Sequence, residues 1–214
     1  MVFTNRREAG HLLARALEDK QIEFDLVLGI PRGGVAVAEV IASYFNCPLD
    51  AVMAKKIASP AWDEFAIGAV TPDGETLIPE RAQKIMDTDS TAMEILAQKV
   101  KENIDGRLKR YRGHRPPLDL QGKNILLVDD GIATGFTLKA AVKYLQRQTD
   151  GKITVAVPVS SKNAYLNLLE EVDQLLVLEI PEKFYAVSQV YQDFTAVEDR
   201  DVMNILKRSF QENP

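Results

Sequence analysis

Short apolar runs alternate with helical stripes along this chain. Residues 24–30, 49–54, 124–128, 152–157 and 174–179 are rich in Leu, Ile and Val. Such runs are too short for helices and fit strands buried on both faces. Between them, apolar residues recur at helical spacing. Ala9, Leu12, Leu13, Ala16 and Leu17 form one stripe, entered through a capping box of Asn5 and Glu8. A helix follows over Val35–Phe45, and a long one from Thr88 to Tyr111 with Met93, Leu96, Ala97, Val100 and Ile104 in register and Gly106 weakening its end. Leu138, Ala141, Val142 and Leu145 mark another helix and 163–169 a short one; Val202, Ile205 and Leu206 mark a last one, capped by Thr195 and Glu198. One stretch breaks the alternation: residues 66–70 and 76–79 read as short strands about the turn Thr71-Pro72-Asp73-Gly74, a hairpin set into an α/β pattern.

Length and composition bound the picture. At 214 residues the chain is one domain with room for a full core. A net charge of −5 argues against a broad nucleic-acid surface. Cys47 is the single cysteine, which excludes an intramolecular disulfide and fits a reducing cytoplasm. No apolar run approaches ~18 residues, so no membrane partner is expected, and no signal-peptide core opens the chain. His11 and His114 lie far apart in polar settings, which disfavours a histidine-based metal site or triad.

The chemistry concentrates in Asn124–Thr137, NILLVDDGIATGFT. It reads as strand, acidic tip, hydroxyl- and glycine-bearing loop, helix. In an open α/β sheet, ligands bind at the carboxyl ends of strands. The amides of Ala133, Thr134, Gly135 and Phe136 at a helix N-terminus suit an anion such as phosphate, and the hydroxyls of Thr134 and Thr137 add donors. Asp129 and Asp130 suit sugar hydroxyls or a hydrated divalent cation. A phosphate beside a polyol is the shape of a sugar phosphate. Paired acids at a strand end also occur in receiver domains and phosphatases, but neither pattern explains Ala-Thr-Gly-x-Thr here. A second loop, GIPRGG, brackets Arg32 with Gly29, Gly33 and Gly34 between strand and helix, an anion loop in structural terms. It is neither a dinucleotide fingerprint nor a Walker loop. Lys55 and Lys56 end the second apolar run, where a shared anion and plain solvation are equally good explanations.

The motif VDDGIATGFT resembles the phosphoribosyl-diphosphate (PRPP) motif of type I phosphoribosyltransferases, and with GIPRGG, EFAIGAV and YQDF the chain is most similar to a prokaryotic branch of that family with no settled acceptor. The resemblance implies a parallel α/β sheet with helices on both faces, a β-hairpin flexible loop at about 57–80 and a small C-terminal hood at about 181–196. It implies transfer of the 5-phosphoribosyl group from PRPP to a nitrogenous small-molecule acceptor, with release of pyrophosphate. Asp129 and Asp130 would hold the ribose hydroxyls; Ala133, Thr134, Gly135, Phe136 and Thr137 the 5′-phosphate; and Arg32, Gly33 and Gly34 the pyrophosphate, with Lys55 and Lys56 as helpers. Mg²⁺ would be bound through PRPP and water, with no direct protein ligand. The closing loop would exclude water, Glu64 would handle a proton, and Trp62 is a candidate homodimer contact. Lys162 and Tyr185 would meet the acceptor. Members that use 6-oxopurines carry an Asp where this chain has Ala133, so that acceptor class is disfavoured. The alternatives are a non-catalytic PRPP- or nucleotide-binding regulator and a sugar-phosphate phosphohydrolase on the same fold. Arg6 and Arg7, in the first helical turn, read as solvated surface despite running against the helix dipole.

Overall fold

The computed structural model describes residues 1–58, 66–78 and 90–212. Trp62, Asp63, Glu64 and Pro79, and the expected start of the long helix at Thr88, lie outside the described residues. In chain order the elements are α1 (Arg6–Asp19), β1 (Leu26–Gly29), α2 (Gly33–Phe45), β2 (Leu49–Ala51), β3 (Lys55–Ala58), β4 (Ala66–Val70), β5 (Thr76–Leu77), α3 (Ser90–Arg112), β6 (Ile125–Val128), α4 (Phe136–Gln148), β7 (Ile153–Val159), α5 (Lys162–Leu169), β8 (Gln174–Glu179), a 3₁₀ turn at Val187–Val190, and α6 (Asp199–Glu212).

Five strands form a parallel sheet in the order β2-β1-β6-β7-β8. Alternation along each strand divides its side chains between two cores. Val27, Leu126, Val128 and Ala156 join α1, α2, α3 and α6 on one face; Leu26, Leu28, Ile125, Leu127 and Val155 join α4 and α5 on the other. The expected sheet with both faces covered is therefore present. From β1 the chain adds β2 on one side, then returns to place β6, β7 and β8 on the other. The order reverses between β1 and β6, which makes the crevice beyond their carboxyl ends the switch point of the sheet.

The second apolar run behaves differently from its reading as one strand. Only Leu49–Ala51 pairs in the main sheet; the chain then leaves it, and Lys55 and Lys56 open β3 in a separate antiparallel sheet, β3-β4-β5. That sheet is pinned to α4 by charge. Arg147 donates from Nε and Nη2 to the Asp73 carboxylate at 2.9–3.1 Å and also pairs with Glu75. The capping box at α1 is real in its first half, Glu8 N donating to Asn5 Oδ1 at 3.0 Å, while the Glu8 carboxylate turns to the amide of Thr4. The long helix α3 runs through Gly106 to Arg112, one residue past its expected end at Tyr111. Among the described residues no helix is long and apolar enough to cross a membrane.

A buried ion pair anchors α3 to the sheet. Arg112 Nε donates to both oxygens of buried Asp50 at 2.9 and 3.0 Å, and its Nη2 donates to the Ala51 carbonyl at 2.9 Å. Arg112→Ala should leave the Asp50 carboxylate buried and unpaired, a loss of about 3 kcal/mol. The companion Asp50→Asn/Arg112→Met replacement should lose clearly less. Urea unfolding of both variants checks the difference.

Candidate active site

Two loops meet at the switch point. Ile30 N donates to the Val128 carbonyl at 2.9 Å, which ties the end of β1 to the end of β6. Just beyond, the start of α2 presses on the acidic tip. A Cβ on Gly33 would sit 1.8 Å from Asp130 Oδ2, and one on Gly34 would sit 2.7 Å from the Val128 carbonyl oxygen. The glycine pair is required here by close approach rather than by an unusual φ. The Pro31–Arg32 peptide is cis.

Two of the helices around this crevice start without the usual cap. The α2 N-cap is Arg32, and the α4 N-cap is Gly135 with φ +74; neither gives a side-chain cap bond, and neither helix has an acid in its first turn. By contrast α1 is capped by Asn5 and α5 by Ser161, each accepting from a backbone amide. First-turn amides have no partner inside the helix, so α2 and α4 present positive ends and free donors to whatever binds there. The α4 loop is held by its neighbours. Ile132 N donates to the Val159 carbonyl at 2.8 Å, and Ser161 Oγ donates to the Ala133 carbonyl at 2.7 Å. Ala133 and Thr134 are exposed, while Phe136 packs its ring into the core beneath α4.

Between the two helix ends stand Asp129 and Asp130. The Asp130 amide donates to Asp129 Oδ1 at 2.8 Å. Burial, and then the neighbouring Asp130 charge, push the Asp129 carboxyl well above the ordinary carboxylate range. Asp130 is balanced by Arg6, whose Nε donates to its Oδ2 at 2.7 Å. The Tyr191 hydroxyl donates to the Asp130 main-chain oxygen at 2.7 Å. Arg32 is partly exposed, and its Nη1 pairs with Glu198 Oε2 at 3.2 Å, just ahead of α6.

The structure thus brings Gly33 and Gly34 against Asp129 and Asp130, while the Arg32 side chain turns to Glu198; Ala133, Thr134, Gly135, Phe136 and Thr137 follow on the β7 side of the acids, where Ile132 pairs with Ser160. Lys162 is the exposed first residue of α5, linked to the loop through its neighbour Ser161. Lys55 and Lys56 do not converge through their strand, since adjacent side chains on a strand point to opposite faces. Lys55 Nζ donates to Asn103 at 2.9 Å. Tyr185 is 83% exposed. Its backbone amide donates to Gln189 Oε1 at 2.6 Å, part of the fold of the hood. The hood has a second component that periodicity did not reveal: the N-terminal arm pairs with it, through Phe3 N to the Val190 carbonyl at 2.7 Å and Gln192 N to the Phe3 carbonyl at 2.8 Å. Arg6 and Tyr191 were also missed as site residues. The one available signal was an arginine placed against the dipole of its own helix.

A family model described as the phosphoribosyl transferase domain matches residues 4–195. The chain belongs to the phosphoribosyl transferase family. Two curated Mycobacterium tuberculosis sequences, from strains CDC 1551 / Oshkosh and H37Rv and provisionally named phosphoribosyl transferases, are each 33% identical over 211 residues, 99% of this chain. The chain spans about half the length of these relatives, 48%. A solved Thermus thermophilus protein is 38% identical with a TM-score of 0.84, covering 97% of this chain and 99% of that one. A Pyrococcus horikoshii purine phosphoribosyltransferase shares the phosphoribosyl transferase fold at 17% identity and a TM-score of 0.50, covering 92% of this chain and 97% of that one.

The raised Asp129 carboxyl has a thermodynamic consequence. A carboxyl whose folded pKa lies above its unfolded value destabilises the fold once the pH exceeds the unfolded value, and the deficit grows until the folded pKa is reached. Asp129→Asn should therefore be more stable than the parent at pH 7.5, and the advantage should fade as pH falls toward 4. Thermal unfolding across that range measures it; an advantage that is absent at pH 7.5, or that grows on acidification, would contradict the assigned direction.

Proposed function

We propose that this chain binds PRPP and transfers its 5-phosphoribosyl group to a nitrogenous acceptor, releasing pyrophosphate. The observation that carries this reading is the pair of uncapped helix N-termini, α2 and α4, on opposite sides of two carboxylates at the sheet's switch point. One ligand with a phosphate at each end and hydroxyls between them matches that order of charges. The α4 loop would take the 5′-phosphate, and Asp129 and Asp130 the ribose hydroxyls. Arg32 with the amides of Gly33 and Gly34 would take the pyrophosphate, displacing Glu198 from Arg32.

The described residues hold no cluster of three or more His, Cys, Asp or Glu able to bind a metal by themselves. Two adjacent carboxylates do suit contact with a hydrated Mg²⁺ whose inner ligands come from PRPP, and the ion would neutralise pyrophosphate charge as it develops. Displacement at ribose C1 forms the bond to the acceptor nitrogen, and the C1–O bond breaks with its electron pair going to pyrophosphate. Arg32 and the α2 amides stabilise that departing charge, and the acidic tip holds C1 in line. Glu64 remains the proposed proton acceptor, and Lys162 and Tyr185 the proposed acceptor contacts. Ala133 offers no carboxylate to a purine ring, which supports an acceptor other than a 6-oxopurine.

Calorimetric titration with PRPP, with and without Mg²⁺, tests this directly. Binding should require Mg²⁺ and weaken by about tenfold in Asp129→Asn, the loss expected when a hydrogen bond to a ribose hydroxyl goes. Pyrophosphate release, screened over adenine, pyrimidines and non-nucleobase amines, should then fall about 100-fold in Arg32→Ala. Absence of PRPP binding to the parent protein would overturn the reading.

A further inference from the structure

Arg6 is a largely covered cation in a position that helix energetics disfavour. It opens α1, where the dipole repels positive charge, and its side chain is only 12% exposed. Three groups offset that cost. Its Nε donates to Asp130 Oδ2 at 2.7 Å, its Nη1 donates to the Thr195 carbonyl at 2.9 Å, and its guanidinium lies 3.8 Å from the centre of the Phe194 ring. Tyr191, whose ring is 5.9 Å from the same guanidinium, donates its hydroxyl to the Asp130 carbonyl at 2.7 Å. Asp130 is therefore gripped at a side-chain oxygen by the first residue of α1 and at its main-chain oxygen by the hood. Gly33 closes in on the same Oδ2 from the α2 side.

The grip has a directional purpose. A carboxylate at a strand tip turns about its side-chain bonds, and a vicinal diol is recognised well only by a carboxylate whose oxygens are aimed in advance. Arg6 fixes one oxygen of Asp130 and thereby sets the direction of the other. A planar guanidinium suits this because it can stack on Phe194 while donating through two nitrogens; an ammonium cannot do both. A site built around a hydroxyl rejects a ligand lacking it, since the aimed polar group is then left unpaired.

We propose that Arg6 is a positioning residue that makes the site select ribose over 2-deoxyribose, by holding Asp130 against the sugar's vicinal hydroxyls. This rests on the sugar-phosphate reading of the site. The test is calorimetric titration of ribose 5-phosphate and 2-deoxyribose 5-phosphate into the parent protein, Arg6→Ala, Arg6→Lys, Asp130→Asn and the Arg6→Ala/Asp130→Asn double variant. The parent should prefer the ribose ligand by about tenfold or more. Arg6→Ala should bring the two ligands within about twofold, chiefly by weakening the ribose ligand, and should add nothing once Asp130 is Asn. Arg6→Lys keeps the charge and loses the stack and second bond, so its preference should fall between the two; it carries the test if Arg6→Ala does not fold. If Arg6→Ala or Arg6→Lys weakens both ligands by one common factor, or leaves the preference intact, Arg6 is only an anchor for the hood and the proposal is overturned while the site reading stands. If the parent binds neither ligand, the site reading falls and the proposal with it.

Discussion

The contact on which the site depends is the meeting of Gly33 with the Asp130 carboxylate. β1 and β6 are adjacent parallel strands, so their carboxyl ends lie side by side, and the helices that follow them start in the same crevice. Two such helix starts would ordinarily be kept apart by side chains. Here the first residues of α2 are glycines, and a single Cβ on either would collide with the acidic tip or the strand end. The close approach seats the positive end of α2 directly on the acidic tip, while α4 starts from the loop that follows it, and neither helix spends its first amides on a side-chain cap.

That arrangement is maintained against local energetics. Desolvation and a neighbouring acid disfavour the ionised form of Asp129, and α2 and α4 forgo the side-chain caps that α1 and α5 possess. The cap forgone at Arg32 is worth on the order of 1 kcal/mol, and the one at Gly135 about a few tenths of that. The surrounding sheet, with β1 and β6 buried throughout and covered on both faces, supplies the stability that lets this disfavoured corner persist.

Most of the framework was legible in the order of residues because it is local. Strand runs, helical stripes, the acidic tip and both glycine loops are each written within a dozen or so neighbouring positions. What escaped was non-local. Arg6 meets Asp130 across 124 positions and Thr195 across 189, and nothing in the first helical turn names those partners except the misplaced charge. The N-terminal arm pairs with the hood through main-chain groups, which carry no sequence signature. The departure of the chain from the main sheet after Ala51 was hidden for a different reason. Val52, Met53 and Ala54 are buried and apolar, so they look like strand although they cross between two sheets.

α4 explains how the second sheet is held to the site. Its first turn follows the Ala133–Gly135 loop, and its last turn carries Arg147, which grips Asp73 and Glu75 in the turn between β4 and β5. One helical turn and two turns earlier on the same side, Lys143 and Lys139 pair with Glu171 beyond the end of α5. Spacing of four residues places all three cations along one stripe. The helix therefore acts as a single rod, with the Ala133–Gly135 loop at one end and the turn of the small sheet at the other. Lys55 adds a separate tie from β3 to Asn103 of α3. The small sheet is thus fastened, through Lys55 and through the turn between β4 and β5, to helices that pack on the main sheet.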